Sequence, residues 1–133
     1  MDRLAPFLSP KCTPTAVEMN RGFNIADLGS VNFKGQSGAS YPTTAYRLDQ
    51  QFNPVGAVYI ITKQYAQSGV TYFKPLYIGV TGDLSTRFDD HHKEDCFIKN
   101  GANSICIHRD ENEKSRFAKE TDLIQHWNPT CNG

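Results

Sequence analysis

Two tyrosines, Tyr59 and Tyr77, lie on two neighbouring segments, residues 57–62 and 76–80, that are both typical of β-strands. Because side chains alternate along a strand, each phenol is predicted on the face opposite the main aliphatic row. Gly79 leaves space for another group to approach the backbone. The two phenols therefore border a place where a ligand could approach the sheet. The alternative is two packed tyrosines with their hydroxyls at the rim of the sheet.

Arg87 and His91 lie four residues apart on a segment predicted to form a helix over residues 83–93. Together with Leu84 and Phe88 they fall on one side of this helix. The two apolar side chains would be buried, and the two basic side chains would lie at the edge of the buried stripe. A guanidinium matches two phosphate oxygens and an imidazole can move a proton, so this pair suits a phosphate. The alternative is an arginine that covers the core beside a surface histidine.

Glu120 falls within an apolar stripe of the second predicted helix, residues 111–127. The other members of the stripe are Phe117, Leu123, Ile124 and Trp127. A carboxylate among apolar groups costs free energy unless it is paired or binds a cation, so Glu120 is a candidate metal ligand. An ion pair with Arg116, one helical turn earlier, is the alternative.

A zinc site is a further alternative. Its four candidate ligands are either His91 or His92, together with Cys96, Cys106 and His108. Their spacing matches none of the usual zinc patterns, and this argues against such a site. The four cysteines (with Cys12 and Cys131) include no Cys-x-x-Cys pair and are predicted to be reduced thiols of a cytoplasmic protein. Pairing is expected only if the chain is exported without an N-terminal signal.

The elements that would position these groups do not alternate regularly between strand and helix, so the predicted class is α+β with an antiparallel or mixed sheet. An irregular arm is predicted over residues 1–29 and a β-hairpin over 30–54, whereas residues 64–74 are predicted to be a polar connection. Alternation places aliphatic side chains on one face of the sheet, and the tyrosines on the other. That aliphatic row comprises Val58, Ile60, Leu76, Ile78, Val80, Ile105 and Ile107. A capping box, Asp110 with Glu113, is predicted to begin the last helix, and Asn128 with Pro129 to end it.

Composition and charge limit the possible functions. The chain of 133 residues is 38% apolar and 21% charged, which fits one globular domain. No apolar run approaches the ~20 residues of a membrane-spanning helix, and no secretory signal is recognisable. Fourteen basic and fourteen acidic residues cancel. Non-specific affinity for nucleic acids comes from surplus positive charge, so any nucleic-acid function must depend on a local site.

The same residues resemble a known family. The segment 57–59, the motif Tyr77-Ile78-Gly79, Arg87 with His91, and the closing stretch from Glu120 to Asn132 resemble the GIY-YIG nucleases in order and spacing over residues 55–132. Ala57 replaces the first glycine of the family motif, and Val80 replaces a basic residue often found there. The hairpin and the arm lie outside the resemblance.

The resemblance implies a small three-stranded sheet flanked by helices, with residues 55–133 as the nuclease domain. It implies hydrolysis of DNA phosphodiester bonds with one Mg²⁺ or Mn²⁺ held by Glu120. The implied catalytic residues are Tyr59, Tyr77, Arg87, His91, Glu120 and Asn132, with Gly79, Arg87 and His91 next to substrate. Tyr59 is the first choice of general base and Tyr77 the second, Arg87 stabilises the phosphorane, and Asn132 supports the site.

The sequence leaves open one further partner and one alternative function. If the nuclease is a toxin or a mobile-element enzyme, a neutralising or recruiting protein is expected as its partner. The alternative function belongs to a different class: a catalytically inactive module that keeps the fold and binds DNA or a protein. The balanced charge of the chain and Val80 favour this alternative. A Glu120 carboxylate paired with Arg116 would support this alternative.

Overall fold

A computed structural model describes residues 27–87 and 91–133. Its elements are β1 (Gly29–Lys34), β2 (Ser40–Arg47), β3 (Ala57–Gln67), β4 (Val70–Thr81), α1 (Glu94–Lys99), β5 (Ser104–Arg109) and α2 (Glu113–Trp127). The five strands form one antiparallel sheet in the order β1-β2-β5-β3-β4, which confirms the α+β class. The predicted arm up to residue 26 and Phe88 lie outside the described residues.

The predicted sheet of three strands is wrong in number, because the N-terminal hairpin joins the sheet through pairing of β2 with β5. Helix α2 also holds the hairpin. The Asp122 carboxylate accepts hydrogen bonds from the backbone N–H of Ser37 at 2.8 Å and from the hydroxyl of Tyr41 at 2.7 Å. The indole of Trp127 donates to the carbonyl of Lys34 at 2.9 Å. The hairpin is therefore built into the same packed unit as the strands that carry the tyrosines.

The segment predicted as a polar connection, residues 64–74, instead continues β3 and β4. Only Ser68 and Gly69 form the turn between them, and both have positive φ, 53° and 79°. Two successive residues with positive φ are what a two-residue hairpin turn requires. This part of the hairpin is almost entirely exposed, so its strands lack the apolar alternation that identifies a half-buried strand.

Both faces of the sheet are covered by packed residues. One core lies against α2 and contains Val58, Ile60, Ile78, Cys106 and Leu123. The other lies on the tyrosine face and contains Tyr59, Tyr77, Leu84, Phe97 and Ile105. The predicted face of Ile105 and Ile107 is wrong, since Ile107 lies directly opposite Tyr59 in the β3–β5 pairing. Directly opposite residues share a face, so the isoleucines belong with the tyrosines.

The predicted helix over residues 83–93 is not a continuous helix. Residues 84–87 form turns, with the N–H of Arg87 donating to the carbonyl of Leu84 at 3.4 Å, and α1 begins only at Glu94. The Asp83 carboxylate accepts a hydrogen bond from the backbone N–H of Ser85 at 3.0 Å. Short polar side chains that bond the nearby backbone in this way favour turns, and the apolar spacing alone did not reveal this.

Helix α2 begins two residues later than predicted. Its N-cap is Asn112, whose side-chain oxygen accepts a hydrogen bond from the N–H of Ser115 at 2.8 Å, in place of the predicted capping box. At the other end Asn128 adopts the left-handed conformation and Pro129 follows, which confirms the predicted end. Within residues 27–87 and 91–133 the structure contains no helix with the length and apolar character needed to cross a membrane.

The prediction of reduced thiols is wrong for two cysteines. Cys96 and Cys131 form a disulfide, with their Cα atoms 5.9 Å apart, that joins α1 to the segment after α2. The two residues are 35 positions apart in sequence, and no local pattern indicates that the C-terminal segment returns to α1. Cys106 is a free thiol in the core, where burial raises its pKa to about 11.

Candidate active site

Tyr59 and Tyr77 lie beside each other against the backbone of Gly79. Tyr59 is the cross-strand partner of Gly79, and the two phenol rings are 6.1 Å apart between centroids. A Cβ atom at Gly79 would come within 2.7 Å of both rings, so no larger residue fits without displacing them. Tyr59 has no exposed surface and Tyr77 is 8% exposed. The phenols are therefore inside the protein and not at the rim of the sheet.

His91 is buried against both tyrosines, and its hydrogen bonds define its tautomer. Its Nδ1 atom accepts a hydrogen bond from the backbone N–H of Lys93 at 3.1 Å. Burial, followed by the positive charge of Arg87, lowers the pKa of His91 to about 3, so the ring is neutral. The proton must then be on Nε2, which donates to the hydroxyl oxygen of Tyr59 at 2.9 Å. This donor would stabilise negative charge on that oxygen.

Arg87 places a positive charge beside the phenols. Its guanidinium carbon is 5.9 Å from the centroid of the Tyr59 ring. Burial raises the pKa of Tyr59 and of Tyr77 above the ordinary value of 10, and the positive charge of Arg87 opposes the rise at both. Arg87 therefore faces the tyrosine pair, and this contact does not depend on the helix that the sequence predicted.

Glu120 is half-buried on α2 and makes no hydrogen bond or ion pair with any described residue. Burial raises its pKa. Its negative charge also acts on Tyr77, where it adds to the rise in pKa that burial chiefly causes. The carboxylate is thus partly desolvated, unpaired within residues 27–87 and 91–133, and electrostatically coupled to one of the phenols.

The alternative ion pair between Glu120 and Arg116 does not form. Arg116 is buried, and its guanidinium donates to the carbonyl of Asp110 at 3.0 Å and lies against Gly56. The apolar stripe proposed for α2 also needs correction, because Phe117 is 50% exposed. The buried face of α2 therefore includes Arg116 in place of Phe117, and it keeps Glu120 and Leu123.

Asn132 supports the strand that carries Tyr77. Its side-chain oxygen accepts a hydrogen bond from the N–H of Ile78 at 2.8 Å, and its amide donates to the carbonyl of Ile78 at 2.9 Å. The N–H of Cys131 donates to the carbonyl of Leu76 at 2.8 Å. The C-terminal residues therefore satisfy the backbone groups at the free edge of β4 on both sides of Tyr77. The Asn132 side chain thus binds the backbone of the strand that carries Tyr77.

The donor set limits which metal ion could bind. Among the described residues there is no cluster of three or more His, Cys, Asp or Glu side chains that could hold an ion. The alternative zinc site is excluded, since Cys96 is in a disulfide and Cys106 lies in the core on the opposite face. A single carboxylate fits Mg²⁺, which binds through one or two carboxylates and keeps several waters.

A groove of about 510 Å³ lies on the tyrosine face, and none of the six candidate residues lines it. Its lining includes Tyr46, Gln50, Phe52, Leu84 and Ile107. Leu84 lines the groove and also packs in the core with Tyr59 and Tyr77, so the groove and the tyrosines share one face of the sheet. The sequence did not predict that these residues line one groove, because they come from β2, β5 and two loops. Only the strand order, with β2 next to β5, places them together.

We expect His91 to make the protein less stable as the pH falls from 7 to 5. The pKa of histidine is about 6.5 in an unfolded chain and about 3 for His91 in the fold, so the unfolded state binds more protons in this window. The free energy of unfolding should fall by on the order of 1–2 kcal/mol over that range. Urea unfolding of wild type and His91→Gln at pH 7 and pH 5 measures this, and the variant should lose less stability on acidification.

The matched control for this measurement is His126→Gln, since His126 is exposed at the end of α2. Asp110 and Asp122, whose pKa values are lowered in the fold, take up protons only below this window. Equal acid sensitivity in wild type and His91→Gln would contradict a buried neutral histidine.

The chain matches no protein-family model, no curated protein and no solved structure. The resemblance to the GIY-YIG nucleases therefore rests on the sequence motifs alone. One cluster contains Tyr59, Tyr77, Arg87 and His91. The negative charge of Glu120, on α2, adds to the rise in the pKa of Tyr77. The sixth residue of the resemblance, Asn132, holds β4 from its edge.

Proposed function

We propose that this protein is a metal-dependent endonuclease that hydrolyses phosphodiester bonds in DNA. The observation that carries the proposal is the Glu120 carboxylate, which is half-buried and has no partner among the described residues. A partly desolvated carboxylate favours a cation. The charge of Glu120 acts on Tyr77, which lies beside Tyr59 in the cluster with Arg87. Together these residues would supply a metal ligand, a proton acceptor and a cation for phosphate.

Glu120 is the residue that would hold Mg²⁺ or Mn²⁺. A bound divalent ion supplies Lewis-acid stabilisation of the charge that develops on the phosphate and on the leaving oxygen. Arg87 would neutralise the same negative charge from the other side, because a fixed guanidinium stabilises a phosphorane more strongly where water is excluded. Its position over the phenols would place the phosphate close to the proton acceptor.

Tyr77 is the better candidate for the general base. It retains some exposed surface and feels the charge of Glu120, whereas Tyr59 is fully enclosed. The sequence made Tyr59 the first choice of general base. Because Tyr59 is more deeply buried than Tyr77, we reverse that choice. Tyr59 would instead act behind Tyr77, with its hydroxyl oxygen held by the Nε2–H of His91. Because burial raises the pKa of Tyr77, the phenol needs the nearby guanidinium and the cation at Glu120 to lose its proton.

Plasmid cleavage tests the proposal. Supercoiled plasmid should become nicked or linear with wild type in Mg²⁺ or Mn²⁺ and stay intact in EDTA. Glu120→Gln should lower the rate by roughly 10²–10³-fold, because it removes the ligand charge but keeps the size of the side chain. The matched control is Glu113→Gln in the exposed first turn of α2, which should cleave like wild type.

The competing function is the non-catalytic module that binds DNA or a protein, which the balanced charge of the chain favours. It would be supported if wild type and Glu120→Gln left both plasmid and branched DNA substrates equally intact in both metals. The same result would overturn the endonuclease proposal.

A further inference from the structure

The outer half of the β3–β4 hairpin, residues 63–74, extends beyond the rest of the sheet; we call it the ribbon. Pairing of β3 with β5 ends at Thr62, whereas pairing of β3 with β4 continues to Gln67 and Val70. Past Thr62, the bonds that link the ribbon to β5 are those between Gln64 and the Asn103 side chain. The ribbon is therefore a two-stranded projection with a large exposed surface.

The ribbon is locally basic in a chain without net charge. It contains two lysines, Lys63 and Lys74, and no acidic residue. The two are direct cross-strand partners, and neither forms an ion pair with a described residue. Like charges placed directly opposite each other destabilise a sheet. Folding stability does not explain this arrangement, and a polyanionic partner does.

Two exposed tyrosines lie next to the lysine pair. Tyr65 and Tyr72 are also cross-strand partners, with rings stacked at 5.4 Å between centroids, and they are 40% and 44% exposed. Strand alternation places them on the same face of the ribbon as the lysines. That face carries Lys63, Tyr65, Gln67, Val70, Tyr72 and Lys74, all of them exposed.

This basic and aromatic face is continuous with the side of the sheet that carries the candidate site. Lys63 and Tyr59 are four residues apart on β3, so both point to the same side, about 13 Å apart along the strand. On the opposite side, Phe73 packs against the core beneath α2. A strand of duplex DNA bound at the site would need to extend only about four nucleotides, at ~3.4 Å each, to reach the lysines.

We propose that the ribbon binds duplex DNA beside the cleavage site, with its two strands in the major groove and Lys63 and Lys74 on phosphates. A two-stranded ribbon fits the ~12 Å width of that groove. Tyr65 and Tyr72 pack against the DNA between the phosphate contacts. The proposal rests on the endonuclease function, and it supplies the local positive charge that the balanced composition otherwise lacks.

Salt dependence of DNA binding tests the ribbon. A fluorescently labelled 30-base-pair duplex would be titrated with the whole protein in EDTA, which prevents cleavage, at several NaCl concentrations. Lys63→Gln/Lys74→Gln should lower the slope of log affinity against log salt by about 1.8 and weaken binding roughly 60-fold at 0.1 M salt. Tyr65→Ser/Tyr72→Ser should weaken binding by about tenfold without a change in slope.

The matched control is Lys34→Gln/Lys114→Gln, which removes two exposed lysines from β1 and from the outer face of α2. It should leave the slope unchanged. A ribbon variant that binds and cleaves like wild type would overturn this inference and leave the endonuclease proposal intact. Binding through the ribbon without cleavage in Mg²⁺ or Mn²⁺ would support the ribbon and overturn the endonuclease. Tighter ribbon-dependent binding to single-stranded RNA, or no binding to duplex DNA, would overturn the choice of duplex DNA.

Discussion

Tyr77→Phe should lower the rate of DNA cleavage by roughly 10²–10³-fold, whereas Tyr59→Phe should lower it by only about tenfold. The difference follows from position. Tyr77 has the exposed surface and feels the charge of Glu120, while the oxygen of Tyr59 is enclosed beside His91. Each substitution removes one hydroxyl and leaves the ring that packs against Gly79. Single-turnover cleavage rates at saturating protein measure the chemical step for both variants.

The pH dependence gives the same prediction a second test. The pKa of Tyr77 is raised by burial, so the phenolate is the minor form near neutral pH, and the wild-type rate should rise about tenfold per pH unit between pH 6 and 8. His91 stays neutral over that range, because its pKa is lowered to about 3. Tyr77→Phe should flatten this rise. A larger loss from Tyr59→Phe than from Tyr77→Phe would exchange their roles, and full activity in both variants would rule out a phenol as the base.

Cys131→Ser should lower the free energy of unfolding by about 3–4 kcal/mol under non-reducing conditions. The disulfide closes a loop of 35 residues, and a crosslink of this span restricts the unfolded chain by roughly that amount. The loss should also loosen the C-terminal segment from β4, since the neighbouring Asn132 makes both hydrogen bonds to Ile78. Urea unfolding monitored by circular dichroism measures the stability change.

Reduction provides the control for the disulfide. Dithiothreitol should destabilise wild type to about the level of Cys131→Ser and should leave that variant unchanged. Four titratable thiols in unreduced, unfolded wild type would contradict the pairing of Cys96 with Cys131 and restore the prediction of free thiols. Cleavage assays on the same samples would show whether the disulfide between α1 and the C-terminal segment also affects the rate of DNA cleavage.

The local signals in the sequence were sufficient for most of the secondary structure. β-Branched and aromatic runs identified β5 and the inner halves of β3 and β4, and the Asn128 and Pro129 pair identified the end of α2. The ribbon was missed because nearly all of its residues are exposed and it lacks apolar alternation. The helix over residues 83–93 was wrong because the Asp83 side chain favours a turn, which outweighs the apolar spacing.

The sequence by itself determined the residue types of the candidate site, because two phenols, an arginine, a histidine and a carboxylate are each conspicuous in their local context. Only the tertiary structure decided which of these residues contact each other and which remain unpaired. The strand register brings Tyr59 over Gly79, the packing of Arg116 against Gly56 leaves Glu120 unpaired among the described residues, and the Cys96 disulfide lies beside Asn132. These relations join residues tens of positions apart, and their energy comes from burial and contacts that exist only once the chain is folded.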